Sequence, residues 1–216
     1  MVDGMAIAIS GINQFLDTSG PQDEYFLEQT NADPAMKCRF TRNLTQIRAA
    51  LQVKAWGKTA LIDSIYSALD AMRQARYQTR VLLVVSDGDD NSSVYSLEEL
   101  SRAFAESPIP MFLIIPADPQ HRGPQVTDAG SRRTALMQLA VQTGGYAHIV
   151  SARQEIVAVA TELASAFRTV YTLKVQAPAT RTGKLNDLHI QVRSVTPRPV
   201  LLYRTTASLE NPAMER

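Results

Sequence analysis

The densest group of side chains that could do chemistry lies in residues 86–93, which read Ser-Asp-Gly-Asp-Asp-Asn-Ser-Ser. Three carboxylates within four residues repel one another unless a cation, a helix N-terminus or water offsets their charge. A hard divalent cation does so directly, because it prefers oxygen ligands. Asp87 directly follows a buried strand, so we expect its side chain to point into a functional crevice. Residues 89–93 predict a solvated turn that caps the helix beginning near Leu97.

The same segment also partly matches the calcium-binding loop of helix-loop-helix proteins. Asp87, Asp89, Asn91 and Glu98 occupy the first, third, fifth and twelfth positions of that pattern. Its sixth position, which glycine normally fills, is Ser92, and a strand precedes the loop where a helix is required. A calcium loop is therefore a minor alternative.

A second polar loop, Trp-Gly-Lys-Thr at 56–59, places the Thr59 hydroxyl in front of an amphipathic helix. Gly-Lys-Thr suggests a phosphate loop, but the earlier glycine of that motif is replaced by Gln52. We therefore expect no nucleotide site. The simplest structural role for Thr59 is a helix N-cap.

Other candidate groups are isolated. Cys38 has no second cysteine to pair with, and His121, His148 and His189 have no carboxylate or serine in motif spacing. The 22 basic and 21 acidic residues leave a net charge of +1, which disfavours a nucleic-acid partner. The longest apolar runs, 81–85 and 111–115, have strand length, so we expect no membrane insertion. No base and nucleophile stand in recognisable spacing, so we expect no catalytic residue.

Helices and strands that alternate along the chain must position these loops. The periodicity predicts the following elements: helix 5–16, strand 24–29, strand 36–40, a helix capped by Asn43 or Thr45, helix 60–75, strand 81–85, helix 97–107, strand 110–115, helix 132–143, strand 146–150, helix 152–170, and strands 171–176, 188–195 and 200–205. The continuously apolar strand 81–85 is expected at the centre of the sheet.

This order predicts an α/β fold: a doubly wound, mostly parallel sheet flanked by helices, with a C-terminal β-hairpin extension. We expect one domain over residues 1–170, a β extension packed on it over 171–207, and a flexible tail over 208–216.

Three stretches together resemble a von Willebrand factor type A domain of a bacterial branch. They are Gly-Lys-Thr-Ala-Leu-Ile-Asp-Ser-Ile at 57–65, the strand and acidic loop at 81–93, and Tyr-Ser-Leu-Glu-Glu-Leu at 95–100. The resemblance implies a Rossmann-like fold and a metal-ion-dependent adhesion site for Mg²⁺, or Mn²⁺ or Ca²⁺, whose metal takes a carboxylate from a protein ligand. Thr59 matches the family's hydroxyl ligand and Asp87 its acidic ligand, with Ser86 and Asp89 as possible further ligands or supports.

The chain departs from the family at the motif Asp-x-Ser-x-Ser, which ends the family's first and central strand. No strand precedes the helix at Met5, and the substitute Asp-Thr-Ser-Gly-Pro at 17–21 has Pro21 in its fifth position and follows a helix. Mg²⁺ requires about six oxygen ligands in octahedral geometry, and without this motif most of them would be water. Metal binding is therefore expected to be weak or absent. The departure predicts a truncated gene product or a misassigned start, and the resemblance suggests an exported or periplasmic full-length protein.

These observations predict a divalent-cation-dependent, adhesion-type protein-binding module with a degenerate metal site and no enzymatic activity. A metal-assisted hydrolase or phosphotransferase using Asp87 and Asp89 is the first alternative. A scaffold that has lost its metal function is the second.

Overall fold

A computed structural model of the chain describes residues 2–51, 58–116 and 128–169. In those ranges helices and strands alternate in this order: α1 (Val2–Asp17), β1 (Tyr25–Gln29), β2 (Ala35–Thr41), α2 (Leu44–Ala50), α3 (Leu61–Met72), β3 (Leu82–Val85), α4 (Leu97–Ala105), β4 (Met111–Pro116), α5 (Asp128–Gln142), β5 (Ala147–Val150) and α6 (Arg153–Ala166), followed by a 3₁₀ turn (Phe167–Thr169). The predicted strands 171–176, 188–195 and 200–205, and both boundaries beyond residue 170, lie outside the described residues.

Strands β3, β4 and β5 form a parallel sheet in that order, with Leu82 opposite Met111 and Leu113 opposite Ala147. Within the described residues β4 is the middle strand, and its first five residues are all buried. The sequence placed β3 there, but a short apolar run looks the same in a middle strand and in an edge strand that helices cover. Strands β1 and β2 form a separate antiparallel hairpin.

Side chains of β4 alternate between two apolar cores because successive residues of a strand face opposite ways. Met111, Leu113 and Ile115 join the buried residues of α3, α4 and α5. Phe112 and Ile114 pack with α6, and side chains of α1 border this second core. Helices therefore cover both faces of a parallel sheet, which confirms the predicted doubly wound α/β fold.

Helix α1 also supports the hairpin through a third cluster formed by Leu16, Ile47 and Leu51. The polar groups that follow α1 serve its end: the Thr18 hydroxyl donates to the Gln14 carbonyl at 2.9 Å and the Ser19 hydroxyl to that of Phe15 at 2.6 Å. Thr18 and Ser19 therefore terminate a helix and do not follow a buried strand, which agrees with excluding residues 17–21 as the family's Asp-x-Ser-x-Ser motif.

None of the described helices is long and apolar enough to cross a bilayer.

Candidate functional site

The acidic loop leaves the carboxyl end of β3, where parallel sheets place their binding crevices. The Ser86 backbone N–H extends the hydrogen bonding between β3 and β4 by donating to the Ile114 carbonyl at 3.1 Å. The Ser86 hydroxyl accepts the Gly88 N–H at 3.2 Å. Gly88 has a φ of 85°, which suits glycine, and a Cβ there would lie 2.9 Å from Cγ of Arg133. The loop therefore turns sharply under the Arg133 side chain of α5.

Asp87 and Asp89, two of the predicted ligands, are both exposed at this turn. Asp87 Oδ1 accepts the backbone N–H of Asp89 at 3.2 Å. Among the described residues neither carboxylate forms an ion pair. Their charges therefore remain available to a ligand from solution.

Asp90 has a different role because it is buried, with 6% of its surface exposed. Its Oδ2 accepts the Ile62 N–H at 2.9 Å, and its Oδ1 accepts the N–H groups of Ser92 and Ser93 at 3.3 and 3.1 Å. Ile62 lies in the first turn of α3, whose leading N–H groups have no partner inside the helix. Asp90 therefore caps α3.

This contact corrects the prediction that residues 89–93 form a solvated turn that caps the helix beginning near Leu97. That helix, α4, is capped by Ser96 and Glu99 in a reciprocal capping box. The local pattern identified a capping segment but could not show that it caps a helix some 30 residues earlier in the chain.

Thr59 lies against the same loop. Its backbone N–H donates to Asn91 Oδ1 at 2.9 Å, and its carbonyl accepts the N–H groups of Asn91 and Ser92 at 2.9 and 3.2 Å. The N-cap position of α3 belongs to Ala60, so the N-cap role proposed for Thr59 is wrong. The Thr59 hydroxyl makes no hydrogen bond to a described residue and is free to bind a ligand.

Asp63, in the first turn of α3, holds the far end of the loop. Its carboxylate accepts the Val94 N–H at 3.0 and 2.9 Å and the Tyr95 N–H at 2.9 Å, while its own N–H donates to the Ser93 hydroxyl at 3.1 Å. This role of Asp63 was not predicted from the sequence. An acidic residue early in a helix was the available signal, but that position is common for helix-dipole reasons alone.

The oxygen atoms left over by this network define what the site could bind. They are the Asp87 and Asp89 carboxylates, the Thr59 hydroxyl and the Ser92 hydroxyl, which is buried without a hydrogen-bond partner. In the described part of the chain no three His, Cys, Asp or Glu residues cluster as a metal site. Carboxylate and hydroxyl oxygens are the kinds of ligand that a hard cation prefers.

In the part of the chain that the structure describes, the other candidate side chains form no second centre. Burial lowers the pKa of His148 on β5, and the Glu162 carboxylate opposes that effect; the imidazole ring meets the Tyr146 ring edge-on at 4.6 Å. Cys38 is half-buried and its thiol donates to the Arg39 carbonyl at 3.4 Å. His121 and His189 lie outside the described residues.

Solved structures provide the comparison for this fold. The chain superposes on "von Willebrand factor type A from Catenulispora acidiphila" with a TM-score of 0.60, 14% identity and coverage of 76% of this chain. It also matches BatB from Bacteroides thetaiotaomicron (TM-score 0.55, 16% identity, 77% of this chain) and an aerotolerance-related membrane protein from Bacteroides fragilis (0.57, 13%, 75%). The chain spans 38% of the first of these proteins, 89% of the second and 88% of the third.

No protein-family model matches the sequence, and no curated protein does. At identities this low the likeness is one of fold. The chain has the fold of a von Willebrand factor type A domain, as the three sequence stretches indicated.

Proposed function

We propose that this chain is a protein-binding module that uses a divalent cation at the carboxyl edge of its sheet. Asp87 and the Thr59 hydroxyl hold the cation, Ser86 and Asp89 support it, and a carboxylate of the partner protein completes its ligands. The metal supplies a positive charge that recognises that carboxylate, and no reaction follows. Mg²⁺ or Mn²⁺ fits the hard oxygen donors better than a thiophilic metal does.

The observation that carries the proposal is the docking of the acidic loop on the start of α3. Three hydrogen bonds join Asn91 and Ser92 to the backbone of Thr59, and Asp90 and Asp63 secure the loop on either side. These hydrogen bonds occupy the side chains of Asp90, Asn91 and Asp63. Asp87 remains exposed, and the Thr59 hydroxyl makes no hydrogen bond to a described residue. Asp87 forms a local hydrogen bond with the Asp89 N–H and is otherwise exposed at the sheet edge where parallel sheets place their binding sites, which favours a functional role.

Mn²⁺ titration followed by NMR tests the site, because a weakly bound paramagnetic ion broadens nearby amide signals. We expect selective broadening around residues 87–89 and Thr59, with a dissociation constant on the order of 10⁻⁴ to 10⁻³ M. Asp87→Asn should remove it. Asp70→Asn, which removes the same charge from an exposed surface pair with Arg73 on α3, should leave it unchanged.

Three results would count against the proposal. Broadening that survives Asp87→Asn would place the ion elsewhere, and absence of broadening would support a scaffold without a metal function. Turnover of p-nitrophenyl phosphate or p-nitrophenyl acetate that Asp87→Asn abolishes would favour a metal-assisted hydrolase instead.

A further inference from the structure

Arg133 brings a positive charge to the edge of the sheet where the acidic loop lies. It is in the second turn of α5. Residues three and seven positions later on a helix share its face, and these are Leu136 and Ala140, which are both buried in the core around β4. Arg133 therefore begins the inward face of α5, and its side chain is directed at the sheet.

The stem of Arg133 packs directly on the acidic loop. A Cβ placed on Gly88 would lie 2.9 Å from Cγ and 3.3 Å from Cβ of Arg133. The side chain thus crosses the loop at the residue that separates Asp87 from Asp89. This contact uses only the apolar stem, so a neutral side chain would cover the loop equally well and the contact does not explain the charge.

The guanidinium of Arg133 has no partner among the described residues. Its Nε is buried without a hydrogen bond, and no ion pair joins the guanidinium to Asp87, Asp89 or another described carboxylate. Buried polar groups in folded proteins are nearly always hydrogen-bonded, so an unpaired one requires an explanation. Arg133 as a whole is partly exposed, and no hydrogen bond to a described residue holds its head group in this position. Rotation about the outer side-chain bonds can therefore turn it toward a ligand.

We propose that Arg133 is a second recognition residue for the carboxylate of the partner protein. The inference rests on the function proposed above, in which a cation at Asp87 and Thr59 binds that carboxylate. Arg133 then donates hydrogen bonds to the same group. A planar guanidinium can donate two parallel hydrogen bonds to a carboxylate, which a lysine ammonium cannot do. The pair of positive charges selects a partner with an exposed Asp or Glu side chain.

A positive charge beside the loop acts on the two ligands in opposite directions. It attracts the carboxylate and repels the cation, since both effects are Coulombic. Arg133→Gln should therefore weaken carboxylate binding and strengthen Mn²⁺ binding. A residue that only packs on Gly88 would produce neither change, because glutamine keeps the Cβ and Cγ atoms that make the contact.

Sodium acetate is the probe for this residue. It is titrated into the full chain with Mg²⁺ present, and sodium chloride is lowered to keep the ionic strength constant. We expect saturable NMR shifts of the Arg133 Nε–H signal and of the amide signals of residues 87–89. Arg133→Gln should raise the acetate dissociation constant at least about fivefold and lower the Mn²⁺ dissociation constant about threefold.

Two further variants separate charge from hydrogen-bonding geometry. Arg133→Lys keeps the charge without the planar fork, so it should leave the Mn²⁺ affinity unchanged and still weaken acetate binding at least about twofold. Arg76→Gln removes the same charge from an exposed residue beyond the end of α3 that lies away from the loop, and it should change neither affinity. Circular dichroism shows that each variant is folded, and Arg133→Lys gives the result if Arg133→Gln does not fold.

The same titration in EDTA distinguishes this inference from the cation proposal. Acetate should still shift the Arg133 signal, but more weakly, because Asp87 and Asp89 then repel it. If Mn²⁺ broadens no signals while acetate binding still depends on Arg133, the cation proposal fails and the role of Arg133 in binding a carboxylate stands. If Mn²⁺ binds but acetate binds wild type and Arg133→Gln equally, or binds neither, the role of Arg133 is overturned and the cation proposal stands.

Discussion

Glu28 is a described carboxyl group whose ionisation opposes folding. It lies half-buried on β1, where its Oε2 accepts a hydrogen bond from the Ser67 hydroxyl at 3.2 Å and its Oε1 is buried without a partner. Burial raises the pKa of Glu28 above its ordinary value of 4.5, and the Ser67 hydrogen bond offsets only part of that rise. The folded state therefore holds the proton more tightly than the unfolded chain does.

The sign of the pH effect follows from that difference. The stabilising contribution of protonated Glu28 is complete below pH 4.5 and is lost as pH rises through the raised native pKa. Glu28→Gln should therefore unfold like wild type below pH 4.5 and become the more stable protein as pH approaches neutrality. Urea denaturation across this range measures it, with exposed Glu98→Gln as control; a constant difference at every pH would contradict the explanation.

At the scale of elements, the turn into β5 packs closely against the middle strand β4 of the described sheet. A Cβ at Gly145 would lie 1.9 Å from the Met111 carbonyl oxygen, a backbone atom of the middle strand that cannot move aside. Gly145→Ala should therefore cost at least about 3 kcal/mol of the free energy of unfolding, at the upper end for overpacking. Gly20→Ala, where the nearest atom is the flexible Asp23 carboxylate at 3.2 Å, should cost under about 1 kcal/mol. Chemical denaturation compares the two, and equal losses would refute the steric argument.

How much of these elements the sequence predicts depends on the range of the interactions that define them. The continuous apolar run of β4 and the amphipathic spacing of α3 (Leu61, Ile65, Leu69 and Met72) are local patterns, and both elements form within a few residues of the predicted bounds. The assignments of Asp90 and Asp63 depend on contacts that cross about 30 residues of chain. No local pattern reveals which helix a capping carboxylate reaches, so the loop was predicted and its docking was not.

At the scale of the whole molecule, Phe15 of α1 joins parts of the chain that the sheet hydrogen bonds do not connect. Its ring meets Tyr25 of the hairpin edge-on at 6.3 Å and Phe167 after α6 at 5.6 Å. Phe15 consequently borders both the core under β4 and the cluster under the hairpin. Because no strand pairing links the two sheets in the described residues, such side chains must transmit cooperativity between them.

Phe15→Ala should therefore lower the free energy of unfolding by about 3 kcal/mol, the lower end for a phenylalanine because the ring is partly exposed. Hydrogen exchange followed by mass spectrometry should show the hairpin, residues 25–41, losing more protection than β4, since the hairpin keeps fewer contacts with the rest of the fold once this ring is gone. Tyr77→Ala, which removes an aromatic ring that is 37% exposed, serves as the control and should change neither segment. Equal loss of protection in the hairpin and β4 would mean that other contacts couple the two sheets, and that Phe15 contributes stability without joining them.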